Sequence, residues 1–348
     1  MQVRSYDRRM QRLPFLILLS LCLLVGCSRA PRELVLSGPT MGTTYTIKVV
    51  GTPGQIDAEA LRRTIDTVLT EIDLEMSVYR PDSVISRFNA STSTEWIEVP
   101  LGLARVVAAA QSVSRASGGA LDITVAPLVQ LWGFGARSEP TSLPTEEQIA
   151  ALRERVGFER LEVRLHPAAL RKQHAALMID VNGVAPGYAV DVLADRFIDQ
   201  GIENFLIDLG GEVVARGRNP DGVPWRIAVE RPLDTEPTPF RVIELADRAV
   251  TTSGEYRHYY ERDGKRYSHT IDPRTGHPIE SRGSVAIAGD TALEVDAWST
   301  ALNVLGAQAG LELAEREGLA VMYVLVEGSE LTAHKSSRWS ELFGEPSS

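Results

Sequence analysis

Residues 177–191 read Leu-Met-Ile-Asp-Val-Asn-Gly-Val-Ala-Pro-Gly-Tyr-Ala-Val-Asp and contain signals for both a strand and a helix. The apolar run at 177–181 predicts a β-strand, and Asn182-Gly183 predicts a turn. A helix is predicted to start near Pro186, because proline is favoured in the first helical turn. That helix buries apolar side chains at helical spacing and ends at Gly201. The segment is therefore a strand that passes through a glycine turn directly into a helix.

Along the rest of the chain, strands and helices mix without a regular βαβ alternation, so the sequence predicts an α+β fold. An Asp263-Gly264 dipeptide predicts a hairpin between strands at 256–262 and 265–269. Other strands are predicted at 33–50 with a break at 38–42, and at 205–209, 213–216, 225–230, 241–245, 249–252 and 321–326. Helices are predicted at 61–76, 103–116, 145–155 and 292–305, with one more helix after the last.

The N-terminus predicts export and a lipid anchor. Four arginines precede an apolar run at residues 13–25, which is shorter than the roughly 20 residues that a membrane-spanning helix needs. This pattern is typical of a secretory signal. The run ends in Leu24-Val25-Gly26-Cys27, so we predict that residues 1–26 are removed and that Cys27 is lipidated. The alternative is an ordinary signal peptide that happens to contain a cysteine.

Cysteine usage and charge exclude several classes of protein. The only two cysteines are Cys22, inside the signal, and Cys27, so residues 28–348 offer no thiol for a disulfide, a thiolate metal site or a cysteine nucleophile. Residues 1–26 hold four Arg and one Asp, so their removal changes the net charge from −10 to −13. An acidic chain is a poor partner for nucleic acid. Any phosphate-bearing substrate must therefore be neutralised locally.

The predicted helix at 292–305 carries a first candidate site. Thr291 and Glu294 define its start as a capping pair. Asp296 and Thr300 lie four residues apart, on one face of the helix. A carboxylate and a hydroxyl supply hard oxygen ligands, which suit magnesium or calcium. The alternative is that this pair belongs to an ordinary solvated face.

The turn at 180–191 is a second candidate. Backbone N–H groups at the start of a helix favour an anion such as phosphate. The segment matches neither the Walker A loop nor the Rossmann fingerprint. A purely structural turn is an equally good interpretation.

Residues 256–282 form a third candidate, because they concentrate positive charge in an acidic chain. Three of the six histidines, His258, His269 and His277, lie here. A pyrophosphate would be attracted to such a segment, and His269 is a candidate general base because imidazole titrates near neutral pH. The alternative is a hairpin with ordinary surface charges. The basic residues are Arg257, Arg262, Lys265, Arg266, Arg274 and Arg282.

Two aromatic features are ambiguous. Residues 131–135, Leu-Trp-Gly-Phe-Gly, form either an aromatic platform or the edge of a core. Tyr79 follows the first long helix and either stacks on a flat ring or covers the end of the helix.

The order of these features resembles the ApbE family of FAD:protein FMN transferases. The resemblance covers almost all of residues 27–348. Its motifs are Pro39-Thr40-Met41-Gly42-Thr43, Val-Tyr-Arg-Pro-Asp-Ser at 78–83, Gly-Ala-Leu-Asp-Ile-Thr-Val-Ala-Pro-Leu at 119–128, Leu-Trp-Gly-Phe-Gly at 131–135, and the segments 180–191, 252–254, 269–276 and 294–300.

The resemblance implies a two-lobed mixed sheet and helix fold with a flavin pocket between the lobes, formed by residues 27–348. It implies magnesium at the Gly183 carbonyl, Asp296 and Thr300, with Ser299 at a position where some members place a further ligand. Many members have lysine where this chain has Pro186. FAD contacts are implied at Met41, Tyr79, Ala120, Leu121, Asp122, Asp180, Pro186 and Ile271.

The resemblance also implies the reaction and its setting. FAD is the substrate, and its FMN half passes to a Thr or Ser hydroxyl of a membrane flavoprotein subunit, with His269 as the base and AMP as the leaving group. The expected location is the periplasmic side of the inner membrane, although Ser28 after the lipid cysteine leaves the outer membrane open. Two alternatives are a hydrolase that splits FAD into FMN and AMP, and a non-catalytic FAD-binding lipoprotein.

Overall fold

The computed structural model describes residues 32–51, 56–135, 142–233, 238–254, 259–280, 283–328 and 330–344. The predicted signal and Cys27 lie outside these residues.

Fifteen strands are described: β1 Arg32–Thr40, β2 Thr43–Gly51, β3 Ile97–Glu98, β4 Leu161–Leu165, β5 Ala168–Lys172, β6 Phe205–Leu209, β7 Glu212–Arg216, β8 Trp225–Glu230, β9 Pro239–Leu245, β10 Arg248–Gly254, β11 Tyr259–Arg262, β12 Lys265–Ser268, β13 Gly283–Gly289, β14 Ala320–Glu327 and β15 Glu330–Lys335.

An eight-stranded antiparallel sheet organises the chain, in the order β1-β2-β6-β7-β10-β13-β14-β15. The β1–β2 hairpin closes between Thr40 and Thr43, so its loop is the two residues Met41 and Gly42. Smaller sheets pair β3, β5 and β4, then β8 with β9, and β11 with β12.

Eight α-helices are described: α1 Ala58–Met76, α2 Val84–Ala90, α3 Leu101–Ala116, α4 Ala126–Leu131, α5 Glu146–Arg153, α6 Ala185–Asp199, α7 Ala292–Glu317 and α8 Ser337–Phe343. Helix α1 begins where the Asp57 side chain accepts hydrogen bonds from two backbone N–H groups, and it buries the predicted apolar stripe. The predicted capping box of Thr145 and Gln148 is present at α5. Helix α7 breaks its helical backbone at Gly306, which confirms two successive helices.

Both faces of the large sheet are covered. Neighbouring residues of its central strands point to opposite sides, so each strand contributes to two cores. On β13, Val285 and Ile287 enter the main core with α1, α3, α6 and α7, whereas Ala286 and Ala288 enter a second core. The second core is closed by the β8–β9 hairpin and by Trp339 of α8. The α+β prediction is confirmed. The boundary at residue 27 and the division into lobes remain predictions.

The strand predicted at 177–181 is wrong. This segment belongs to no sheet. Its backbone is satisfied instead by Asn89, whose side-chain amide donates to the Ile179 carbonyl and accepts from the Ile179 N–H, both at 2.8 Å. The next N–H, that of Asp180, donates to the Ile123 carbonyl at 2.7 Å. The backbone of this apolar segment is therefore paired with a side chain and a loop instead of a neighbouring strand.

No helix of the described residues has the length and apolar character to cross a bilayer.

Candidate active site

Helices α6 and α7 cross where each begins, and each supplies a carboxylate to the other. Oδ2 of Asp296 in α7 accepts from the Gly187 N–H of α6 at 2.9 Å. Asp191 in α6 accepts from the Ala292 and Leu293 N–H groups at the start of α7, at 2.8 and 2.9 Å. The crossing is tight, because a Cβ atom at Gly187 would lie 2.4 Å from the Ala292 carbonyl oxygen. A carboxylate at a helix N-terminus is favourable electrostatically.

The first turn of α6 favours the purely structural interpretation of the turn at 180–191. The Ala185 N–H donates to the Val181 carbonyl at 2.8 Å, Pro186 has no N–H, and the Gly187 N–H is bonded to Asp296. The donors that were expected to hold an anion are therefore used inside the protein. Asp296 itself is the anion that this helix start binds.

Two of the predicted magnesium ligands are in direct contact. The Thr300 hydroxyl donates to the Gly183 carbonyl oxygen at 3.1 Å. Asp296 precedes Thr300 by one turn of α7, so a carboxylate, a hydroxyl and a carbonyl converge at the start of α6. These are all oxygen donors, as magnesium prefers. Within the described ranges no three His, Cys, Asp or Glu side chains gather into a metal-binding group, so any cation here relies on this mixed set.

Burial concentrates negative charge around Asp296. Only 5% of this residue is exposed, which corrects the interpretation of a solvated helix face. Its pKa is raised well above the ordinary carboxyl value, first by burial and then by the charges of Glu212 and Asp191. Burial also raises the pKa of Glu212 to about 7, although the Thr251 hydroxyl donates to it at 3.2 Å. A bound cation would offset this repulsion, so the residues fit a metal.

Asp180 and Tyr79, two of the predicted FAD contacts, lie near each other. Asp180 accepts from the Asn182 N–H at 2.8 Å, and burial raises its pKa. The pKa of Tyr79 is raised by partial burial and by the charge of Asp180, so the two side chains are neighbours. Tyr79 is nevertheless 59% exposed, so part of its ring is available to stack on a ligand.

Asp122 has a structural role that the sequence did not indicate. Its Oδ1 accepts from the N–H and the hydroxyl of Thr124 at 2.8 and 2.6 Å, and its Oδ2 accepts from the Phe158 N–H at 2.9 Å. Both carboxylate oxygens are thus committed within the protein. Ala120 and Leu121 are buried, and contact of these three residues with FAD remains a prediction.

Met41 occupies an unusual backbone conformation. Its φ is +46° and that of Gly42 is +75°, as a two-residue hairpin turn of the primed type requires. Methionine lacks the short polar side chain that makes this region tolerable for Asn or Asp, so the conformation costs about 1 kcal/mol or more. Strain of this kind is often retained where a side chain has a function.

His269 follows β12 and is exposed. Its ring meets that of Phe134 edge-on, with centroids 6.5 Å apart. Two residues later, Ile271 is buried in a small third core with Leu128 and Trp132. Ile271 therefore belongs to a different hydrophobic core from the residues that flank Asp296.

Within the described part of the basic segment several cations pair with carboxylates, which favours its interpretation as a hairpin with ordinary surface charges. Three pairs are formed: Lys265 with Glu280 at 2.6 Å, Arg266 with Glu261 at 2.8 Å, and Arg274 with Asp272 at 2.9 Å. Cations bound in this way attract a phosphate weakly. Arg257, His258 and Arg282 lie outside the described residues.

A model of the ApbE family matches residues 41–323. The chain belongs to the ApbE family. It is 42% identical over 321 residues to the FAD:protein FMN transferase of Vibrio cholerae serotype O1, which covers 92% of this chain and 96% of that protein. Over 326 residues it is 40% identical to the FAD:protein FMN transferase of Escherichia coli K12, covering 90% and 93%.

Solved structures of the ApbE family share the fold. The flavin transferase ApbE from Vibrio cholerae matches with a TM-score of 0.83 at 41% identity, covering 90% of this chain and 100% of that one. The apo form of the flavinyl transferase ApbE from Pseudomonas stutzeri matches with a TM-score of 0.82 at 40% identity, covering 91% and 98%.

Glu212 and the capping role of Asp191 were not predicted from the sequence. Asp208-Leu-Gly-Gly-Glu212 places two carboxylates around a tight turn, where the Gly211 N–H donates to Asp208 at 3.2 Å. The turn also approaches Thr43, since a Cβ atom at Gly210 would lie 3.0 Å from the Thr43 methyl carbon. A Gly-Gly turn flanked by carboxylates was the available signal.

Proposed function

We propose that this chain transfers the FMN half of FAD to a Thr or Ser hydroxyl of an acceptor flavoprotein, with Mg²⁺, and releases AMP. The curated relatives at 40–42% identity are named FAD:protein FMN transferase, and the match extends over nine-tenths of the chain. The observation that carries the proposal is the convergence of the Gly183 carbonyl, the Thr300 hydroxyl and the buried Asp296 carboxylate.

Charge explains why the oxygen cluster is needed. The chain is strongly acidic, and the cations of residues 259–280 are largely paired with carboxylates. The pyrophosphate of FAD therefore finds little free positive charge on this part of the protein. Gly183, Asp296 and Thr300 would hold Mg²⁺, which when bound supplies the charge that neutralises the pyrophosphate and the departing phosphate.

The protein's own residues orient the two reactants. Tyr79 offers an exposed ring for the flavin, and the α6–α7 crossing fixes the three oxygen ligands. His269 accepts the proton of the acceptor hydroxyl. A bond then forms between that oxygen and the phosphorus on the FMN side, and the bond between this phosphorus and the bridging oxygen breaks. AMP leaves with that oxygen, and FMN remains joined to the acceptor by a phosphoester.

The test separates metal ligation from folding. Asp296→Asn and Thr300→Val should each lower Mg²⁺-dependent AMP release by about 100-fold, because the first removes the negative charge of a ligand and the second removes a ligand oxygen. Asp195→Asn, which removes an exposed carboxylate from α6, is the matched control and should retain activity. Circular dichroism checks that all three variants fold. Full activity of folded Asp296→Asn in magnesium would contradict the assigned ligand.

We also propose that the mature protein is lipid-anchored at Cys27 on the periplasmic side of the inner membrane. The support is the sequence Leu24-Val25-Gly26-Cys27 after a short apolar run. Mass spectrometry of the native N-terminus should find an acylated Cys27, and Cys27→Ala should release the protein from membranes. An unmodified N-terminus at another residue would refute the anchor, and sedimentation with the outer membrane would refute the location.

A further inference from the structure

Four aromatic rings stack in a row beside His269. Trp132 and Tyr267 lie 5.6 Å apart with 25° between their planes. Tyr267 and Tyr260 are 5.3 Å apart at 21°, and they are cross-strand partners in the β11–β12 register. Phe134 continues the row 5.3 Å from Tyr260 at 29°. We call these four residues the aromatic stack.

Trp132 and Phe134 form the two ends of the aromatic stack, and the hairpin residues Tyr267 and Tyr260 lie between them. Trp132 and Phe134 are separated only by Gly133, whose φ of +83° turns the chain between them. Trp132 also donates its indole N–H to the Gly276 carbonyl at 2.8 Å, which pins the loop that follows His269. A Cβ atom at Gly276 would lie 2.6 Å from Ile149, so this loop packs closely against α5.

The β11–β12 hairpin depends on packing against residues outside it. β11 and β12 have four residues each, and within the described residues they pair only with one another. An isolated two-stranded hairpin is marginally stable in water. The third core, which contains Tyr267, Trp132 and Leu128, supplies the missing support. His269 directly follows β12, so its position depends on the packing of the hairpin against the aromatic stack.

Phe134 is the member of the stack that meets His269. Its ring lies 6.5 Å from the imidazole at 72°, an edge-to-face arrangement of the kind that aromatic rings prefer. His269 is exposed to solvent, and the contact with the Phe134 ring restricts the orientations of its imidazole. We propose that Phe134 is a positioning residue for His269, held in place by the aromatic stack; the proposal rests on the base role of His269 in the proposed function.

Positioning predicts an effect on rate rather than on substrate binding. A misplacement of about 1 Å can cost on the order of 100-fold in rate. Phe134→Leu keeps an apolar side chain but loses the ring, and we expect it to lower kcat by about tenfold while KM for FAD changes less than about twofold. Phe134→Tyr retains the ring and should retain most of kcat.

The decisive experiment is a double-mutant cycle in the full chain with FAD, Mg²⁺ and an acceptor flavoprotein. In a His269→Ala background, Phe134→Leu should cause no further loss, because the residue acts through His269. Phe343→Leu is the matched control, since Phe343 pairs with Trp339 at 4.7 Å in a different core; it should leave kcat unchanged.

An equal fractional loss from Phe134→Leu in both backgrounds would overturn the proposal, because it would indicate a structural role. Wild-type kcat in Phe134→Leu would overturn it as well. A wild-type protein that labels no acceptor at all would instead refute the proposed function, and with it this inference. Wild-type transfer measured alongside the variants tells these failures apart.

Discussion

Gly187→Ala tests whether the crossing of α6 and α7 builds the metal site. A Cβ atom at this position would lie 2.4 Å from the Ala292 carbonyl oxygen and 2.7 Å from Cβ of Asp296. Because the first obstacle is backbone, the two helices must separate. Overpacking of this kind costs about 1–3 kcal/mol, which exceeds the gain of at most about 1 kcal/mol that alanine brings to a helix.

Gly102→Ala is a matched control. Gly102 also lies in the first turn of a helix, α3, but the atoms nearest to its Cβ atom would be the Glu75 carboxylate and the Tyr188 hydroxyl, both at 2.8 Å. These are the ends of flexible side chains and can move aside. We expect Gly102→Ala to change the free energy of unfolding by less than about 1 kcal/mol, and to leave the magnesium requirement unchanged.

Separation of the helices also moves Asp296, since its hydrogen bond to the Gly187 N–H depends on the close approach. We therefore expect Gly187→Ala to lower the free energy of unfolding by about 1–2 kcal/mol. The Mg²⁺ concentration for half-maximal AMP release should rise by on the order of tenfold. Urea unfolding and a magnesium titration measure the two effects. Wild-type values for both in Gly187→Ala would refute the reasoning.

Two further predictions concern strain and burial. Met41→Asn should stabilise the β1–β2 turn by up to about 1 kcal/mol, because Asn tolerates the positive φ, yet weaken FAD binding in a fluorescence titration; unchanged binding would refute a contact with the flavin. Lys172 is fully buried and donates to the Ser91 carbonyl at 2.7 Å, and burial lowers its pKa from 10.5 to about 8. The unfolded chain therefore binds more protons between these pH values, so wild-type stability should rise with pH across that window. Lys172→Met should remove this part of the rise, and an unchanged pH dependence of urea unfolding would contradict the shift.

Local sequence signals predicted most of the elements. The apolar spacing of Leu61 to Met76 defined the stripe that α1 buries, and Asp263-Gly264 marked a hairpin turn with both φ values positive. Such signals act within a few residues of the chain, so the sequence contains them directly. The segment at 177–181 failed because its hydrogen-bond partner, Asn89, lies about 90 residues earlier.

The site was predicted less completely, for the same physical reason. Family resemblance brought Gly183, Asp296 and Thr300 together, but helical spacing alone suggested a solvated face for Asp296. Its burial arises from the crossing at Gly187, which is a tertiary contact. The charges of residues 259–280 suggested an anion site, and only the structure revealed that Glu280 and Asp272 pair with the cations.

The measurement that tests the central claim most directly is the mass of the acceptor after reaction with FAD and Mg²⁺. Transfer of FMN predicts an acceptor heavier by one FMN less one water, with one AMP released for each labelled molecule. Replacing the acceptor Thr or Ser by Ala should abolish both the mass increase and the coupled AMP. An acceptor of unchanged mass, with AMP released at the same rate whether or not acceptor is present, would contradict transfer and establish hydrolysis instead.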